Sequence, residues 1–394
     1  MTVDEALLDD PEALAAADHS GVLRTLATAG AQVREAAALS GEAGVTRLAE
    51  EHRPRAVVVA SLGGSAVVSD ILLALAGRAC PVPVLVRRGG PLPAWVGPLD
   101  LVVAVSLSGR AAGPLALAAE AARRGARVVT VADEGSPLAQ VGAGRGNVQV
   151  PLARGSRVEE GLRARSSRLS LWSLLVPVLS AADALGLVRT PPEVLAEVAD
   201  RLDAEAEQCR PASEAFLNPA KTLALDLAGS VPVILADGDV AGAAAARAAS
   251  MLARTARVPA VRGALPDDAG DVVATFGGPF ATRPDDVFAD PFLDDAGAAA
   301  RLRLLLLRDA PTEPDAAPEV GPTAPAGAVV DAVAQTAADA GVRVSEVVPE
   351  PGPPLVRLAQ LVARTDFAAT YLALAGGIDP AASPHVADLR DRLG

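Results

Sequence analysis

Two short apolar runs in this chain each end in small residues suited to holding an anion. Val57-Val58-Val59-Ala60 leads into Ser61-Leu62-Gly63-Gly64-Ser65, and Leu101-Val102-Val103-Ala104-Val105 leads into Ser106-Leu107-Ser108-Gly109-Arg110. A buried strand that stops in Gly and Ser and then enters a helix presents hydroxyls and backbone N–H groups to negative charge. Two such turns, spaced like neighbouring units of a parallel sheet, converge at its carboxyl edge, where open α/β sheets take their ligands. The implied chemistry is the grip of a phosphorylated small molecule. Ser65, Ser106 and Ser108 would donate hydroxyls, while Gly63, Gly64 and Gly109 would let the backbone come close because they lack a Cβ. The same serines could instead do no more than cap the following helices. Arg110 could add a charge-assisted bond or point into solvent.

The elements that must position these turns follow from the apolar patterning. The first fifty residues read as helical, with Asp10-Pro11-Glu12 as a helix start and apolar positions at Leu23, Leu26 and Val33. From Arg55 the pattern becomes strand, turn and helix. Strands are predicted at Val57–Ala60, Val82–Val86, Leu101–Val105, Arg127–Val131 and Val148–Pro151, with helices at Ser65–Ala76 and Leu115–Arg124. A second set is predicted to follow. Its strands are Val231–Ala236, Val272–Phe276, Leu302–Leu307 and Val344–Val348, and its helices Ala241–Ala253, Val329–Ala340, Leu355–Ala375 and Val386–Leu393. Such alternation means α/β architecture, two doubly wound subdomains with parallel sheets flanked by helices. The expected boundaries are an N-terminal helical segment over 1–50, a first subdomain over 51–190, a connecting helix or linker over 191–214, and a second subdomain over 215–394. The Pro-, Ala- and Glu-rich stretch Ala310–Gly327 reads as an exposed loop.

Composition narrows the partners. The 394 residues are 51% hydrophobic and 21% charged, as in a globular protein, and the formal charge is −13. Excess negative charge argues against nucleic acid or an anionic membrane, though it does not describe a local pocket. Lys221 is the only lysine. Cys80 and Cys209 offer neither a disulfide framework nor a metal cluster, which suits a reducing cytoplasm. His19, His52 and His385 form no ligand pattern, so no metal and no other cofactor is expected. The acidic Met1–Asp10 start lacks the features of a signal peptide. Leu169–Val188 is strongly apolar, but Ser170, Ser173, Pro177, Ser180 and Asp183 interrupt it. It reads as a buried core or dimer-interface helix rather than a membrane span.

Four places in this order resemble the sugar isomerase (SIS) domain, and among SIS proteins the bifunctional phosphoglucose/phosphomannose isomerases. Ser61-Leu62-Gly63-Gly64-Ser65…Asp70 is similar to that family's Gly-x-Gly-Gly-Ser…Gly-Asp turn, and Ser106-Leu107-Ser108-Gly109 to its Ser-x-Ser-Gly-Asn-Thr phosphate loop. Asn218-Pro219-Ala220-Lys221 resembles the opening of the family's second half. Asp366-Phe367-Ala368-Ala369-Thr370-Tyr371-Leu372-Ala373…Gly377-Ile378-Asp379-Pro380 resembles its ending. The resemblance implies a homodimer with a sugar-phosphate site between subdomains, and aldose–ketose isomerisation through an enediol. It places Asp271 at the position of the carboxylate base, Arg165 at that of the guanidinium serving the enediolate, and Arg390 at that of a lysine aiding ring opening. His385 could reach the site.

The departures from the family bear on activity. Arg110-Ala111 stands where the family has Asn-Thr, Ala269 stands at its histidine, and Asp271 is one methylene shorter than its glutamate. Arginine is always protonated and a poor proton shuttle. Each candidate also has a plainer reading: a solvated loop carboxylate for Asp271, a surface or interface salt bridge for Arg165, a loop residue for His385, and packing for Lys221. The expected function is therefore a phosphosugar-binding SIS protein resembling a glucose-6-phosphate/mannose-6-phosphate isomerase. The alternative is a non-catalytic sugar-phosphate sensor or regulatory partner.

Overall fold

The computed structural model describes residues 3–50, 52–152, 166–281, 300–309 and 327–393. The chain divides into two compact units, one of Arg24–Ala204 and the other of Met1–Leu23 together with Glu205–Gly394. Three short helices open it: α1 (Glu5–Leu8), α2 (Pro11–Ala17) and α3 (Val22–Ala27). The start expected at Asp10 is present, for its carboxylate accepts from the N–H groups of Glu12 and Ala13 at 3.0 Å.

The Arg24–Ala204 unit follows with α4 (Ala29–Glu42), β1 (Val57–Ser61), α5 (Ala66–Ala76), β2 (Val84–Arg87), β3 (Leu101–Ser106) and α6 (Ala112–Arg123). It continues with β4 (Arg127–Ala132), α7 (Pro137–Gly142), β5 (Val148–Pro151), α8 (Leu171–Ala184) and α9 (Pro192–Gln208). All five strands are parallel, in the order β2-β1-β3-β4-β5. Every residue of β1 and β3 is buried. That accounts for their unbroken apolar runs, since a parallel sheet covered on both faces has no polar side. Val58, Ala60, Val102 and Ala104 pack on Leu117 and Leu138 of α6 and α7. Helices α5 and α8 contact the sheet and each other. The apolar stretch expected to be a core helix is α8, whose 14 residues include Leu174, Leu175, Val176 and Leu179, all fully buried. Among the described residues no helix is long and apolar enough to cross a membrane.

The other unit contains α10 (Pro219–Leu227), β6 (Ser230–Asp237), α11 (Asp239–Met251), β7 (Val261–Leu265), α12 (Ala269–Ala274) and β8 (Arg301–Arg308). Then come α13 (Ala328–Asp339), β9 (Arg343–Val347), α14 (Pro354–Ala375) and α15 (Pro384–Leu393). Its four parallel strands run β7-β6-β8-β9. Two expectations are corrected here. Val272–Phe276 is not a strand: it lies in α12 and the 3-10 turn Thr275–Gly277, with Val272 and Phe276 buried four residues apart on one helical face. The strand beside β6 is instead β7, an edge strand whose Arg262 and Gly263 carry no apolar alternation. The expected loop over Ala310–Gly327 falls, apart from Gly327, outside the described residues.

The family-like Asn-Pro-Ala-Lys and C-terminal segments serve the interior of this unit. Asn218 caps α10, accepting from the N–H groups of Ala220 at 3.0 Å and Lys221 at 3.1 Å. The fully buried Lys221 ammonium donates to the carbonyls of Leu8, Pro211 (2.8 Å) and Ser213 (2.6 Å), and lies 5.5 Å from the Tyr371 ring centre. Burial pushes its pKa down, while the bonds to three carbonyls give each ammonium proton an acceptor. Tyr371 donates its hydroxyl to the Cys209 carbonyl at 2.6 Å. Arg247 on α11 and Asp366 on α14 form a buried ion pair at 2.8 Å.

Removing one partner of such a pair leaves an uncompensated buried charge. Arg247→Met is expected to cost about 3–5 kcal/mol of stability, read from urea unfolding, and adding Asp366→Leu should recover much of it. A loss below about 1 kcal/mol, the range of exposed pairs, would contradict this assignment.

Candidate functional site

The two serine turns lie at one sheet edge. β1 and β3 are hydrogen-bonded neighbours with Ser61 opposite Val105, so Ser61–Ser65 and Ser106–Arg110 leave the sheet side by side. From β1 the chain crosses through α5 to β2; from β3 it crosses through α6 to β4 on the other side. This divergence is the topological switch point, where the turns are not closed over by a crossover.

Each turn depends on a glycine. Gly63 has φ +62°, and a Cβ there would meet nothing within 4 Å, so the space above it is open. Gly109 has φ +61°, and its Cβ would fall 2.0 Å from Ser136 Oγ. Ser136, which no sequence motif singled out, caps α7 by accepting from the Ala139 N–H at 3.2 Å. The Leu138 N–H donates to the Gly109 carbonyl at 3.1 Å. The turn after β4 thereby braces the turn after β3. A Ser-Pro start to a helix was the signal that could have found it.

Ser65 is 5% exposed and Ser106 4%, yet neither hydroxyl has a hydrogen-bond partner among the described residues. Neither caps its helix: α5 has no side-chain cap bond from Ser65, and Ala111 holds the cap position of α6. Neither oxygen is sealed from solvent, so both hydroxyls, set in buried residues, remain open to a partner. Two uncommitted donors at one sheet edge are a place for a ligand's acceptors. Ser108 is exposed and its hydroxyl accepts from the Arg110 N–H at 3.3 Å, an arrangement that shapes the turn. Ser61 is committed elsewhere, hydrogen-bonded to the Ser69 hydroxyl on α5. The exposed Arg110 side chain makes no ion pair or hydrogen bond among the described residues.

The structure thus brings Gly63, Gly64, Ser65, Ser106, Ser108, Gly109 and Arg110 to one edge of one unit. The other expected residues are placed differently. Arg165 lies outside the described residues. Asp271 sits exposed in the first turn of α12, with no hydrogen bond or ion pair among the described residues. His385 is 95% exposed on α15, 3.6 Å from Asp388 one turn on, and Arg390 is on the same helix.

The second sheet has its own switch point, between β6 and β8, but different chemistry. Asp237 ends β6 and Asp309 directly follows β8, and burial pushes the Asp237 pKa up. Arg357 donates to Asp309 at 2.6 Å. Carboxylates there oppose a second anion. A hollow of about 520 Å³ in the first unit lies among α4, Val45, α8 and the start of α9, with mostly small apolar walls that include none of the serine turns.

Comparison with known proteins agrees with this architecture. Residues 216–393 match the family profile of the bacterial phospho-glucose isomerase C-terminal SIS domain. A bifunctional phosphoglucose/phosphomannose isomerase of Caldicellulosiruptor bescii is 28% identical over 178 residues, which are 45% of this chain and 50% of that protein. The match therefore spans about half the length of the relative. Two solved structures share the fold across nearly the whole chain. A hypothetical protein from Thermus thermophilus has a TM-score of 0.66 at 16% identity, covering 100% of this chain and 99% of its own. A glucose-6-phosphate isomerase from Chlamydia trachomatis has a TM-score of 0.62 at 13% identity, covering 97% and 85%.

The bracing of the second turn can be measured. Gly109→Ala combines a left-handed backbone with the clash at Ser136, and strain of this backbone kind alone costs about 1–3 kcal/mol. Adding Ser136→Gly should relieve only the clash. Unfolding free energies unchanged in Gly109→Ala would contradict this geometry. The fold is thus shared with these solved structures across nearly the whole chain, and residues 216–393 carry the match to the bacterial phospho-glucose isomerase C-terminal SIS domain.

Proposed function

We propose that the chain binds a phosphorylated sugar at the carboxyl edge of its first sheet and interconverts aldose and ketose 6-phosphates. The observation that carries this reading is the pair of unpartnered hydroxyls on the buried residues Ser65 and Ser106, at the ends of adjacent strands and not sealed from solvent. A phosphate dianion accepts several hydrogen bonds at once, so it could take both hydroxyls together with Ser108 and N–H groups of the two turns. Its fixed position would leave the carbon chain of the sugar to be oriented for proton transfer.

Isomerisation needs a base that removes the proton from the carbon beside the carbonyl and returns it to the neighbouring carbon. Asp271 is the proposed base, Arg165 the cation facing the enediolate oxygen, and Arg390 and His385 the groups near the ring oxygen. No redox partner enters, because carbonyl and hydroxyl exchange within one molecule. The C. bescii relative, named a phosphoglucose/phosphomannose isomerase, supports this choice of substrate class. A homodimer, as the resemblance implies, and a reducing cytoplasm, which suits the two widely spaced cysteines, belong to the same proposal.

A second reading, a sugar-phosphate sensor without turnover, is favoured by one observation. Asp271 is exposed on a six-residue helix with nothing among the described residues to fix it. A sensor would keep the cradle and dispense with the base.

Deuterium exchange followed by NMR on fructose, glucose and mannose 6-phosphates separates the two. Wash-in at C1 or C2 that is lost in Asp271→Asn is the expected result. Binding without wash-in supports the sensor, and wash-in that survives Asp271→Asn removes the base assignment. For the cradle, Ser106→Ala with Ser108→Ala should weaken phosphosugar binding by about 1–3 kcal/mol, the worth of hydrogen bonds to a charged group. Unchanged affinity by calorimetry would refute it.

A further inference from the structure

The rim of the serine crevice carries a cation that belongs to neither serine turn. Arg88 directly follows β2, which runs beside β1 with Arg87 opposite Ala60. It therefore leaves the sheet next to Ser61, where the first turn begins. Its backbone lies against the first turn of α6, since a Cβ on Gly113 would fall 2.4 Å from the Arg88 carbonyl oxygen. Its guanidinium reaches α5, where Nη2 donates to Asp70 Oδ1 at 3.1 Å. Arg88 is thus bracketed by the two helices that begin at the two serine turns.

We propose that Arg88 is a phosphate-binding residue of this crevice, exchanging the Asp70 carboxylate for the ligand's dianion. The proposal rests on the cradle reading above and adds to it the source of positive charge. Three observations support it. The Arg88–Asp70 pair is 46% and 35% exposed and joined by a single hydrogen bond, a weak tie that a ligand can replace. The hydroxyls of Ser65 and Ser106 are neutral donors, whereas the exposed Asp133 and Glu134 follow β4 at the same edge and repel an anion. The single lysine of the chain is buried in the other unit, so charge at this edge must come from arginine. A guanidinium offers a planar fork that matches two phosphate oxygens. Asp70 then holds Arg88 at the rim while the site is empty, and the crevice favours phosphorylated over neutral sugars.

Calorimetric titration with inorganic phosphate and with fructose 6-phosphate tests this. Arg88→Ala should weaken both at least tenfold, whereas Asp70→Asn, which frees the guanidinium, should bind as well as the unaltered protein or better. Arg88→Lys, which keeps the charge without the fork, should fall between. Affinity within twofold of the unaltered protein in Arg88→Ala, with loss retained in the Ser106/Ser108 double variant, overturns the assignment of Arg88 and leaves the cradle standing. Equal weakening by Asp70→Asn and Arg88→Ala also overturns it, because the pair is then only a strut. Absence of phosphate binding by the unaltered protein overturns the cradle and this assignment together.

Discussion

Burial of β1 and β3 on both faces constrains the rest of the first unit. With helices packed above and below, these strands carry no polar side chain before their last residue, a serine in each, and their ends turn within a few residues into α5 and α6. Crossovers in opposite directions then leave the two turns uncovered between them. Polar groups excluded from the strands collect at that divide. Gly63 and Gly109 permit the left-handed backbone that the turns require, and Ser136 locks the second turn from the next strand end. What results is an opening whose hydroxyl donors sit on buried, well-packed residues, so little ordering remains for a ligand to impose.

The two sheets share topology and differ in chemistry. At the second switch point, Asp237 and Asp309 stand where the first has serines, and Arg357 is committed to Asp309. Polar residues of that unit are spent on its interior. Lys221 ties Leu8 to the backbone around Pro211 and Ser213, and Arg247 joins α11 to α14 through Asp366. Losing such groups would leave buried carbonyls or carboxylates unpaired, which is the costly direction of change. Residues that carry the resemblance in sequence therefore do two jobs: those of the first unit keep an edge open, and those of the second hold helices together.

Alternation of apolar runs with helical spacing was enough to place most strands, because two-sided burial writes itself directly into Val, Ala and Leu. It failed where burial was one-sided or absent. The edge strand β7 carries Arg262 and Gly263, and Val272–Phe276 is too short for its period to separate helix from strand. The site was legible for the same reason and to the same extent. Ser65 and Ser106 follow runs that declare themselves, while Ser136 and Arg88 join the edge only through pairing of strands distant in sequence. Asp271 was placed by resemblance alone, and nothing in its local pattern indicates how a short exposed helix would aim it.

The central claim is that both serine turns contact one phosphate group. Backbone amide shifts followed by ¹⁵N-resolved NMR during titration with inorganic phosphate test it most directly. The account predicts that the largest changes fall together, with one dissociation constant, on amides of Gly63, Gly64, Ser65, Ser108, Gly109 and Arg110. Changes confined to one turn, or saturating at different concentrations in the two, would contradict it.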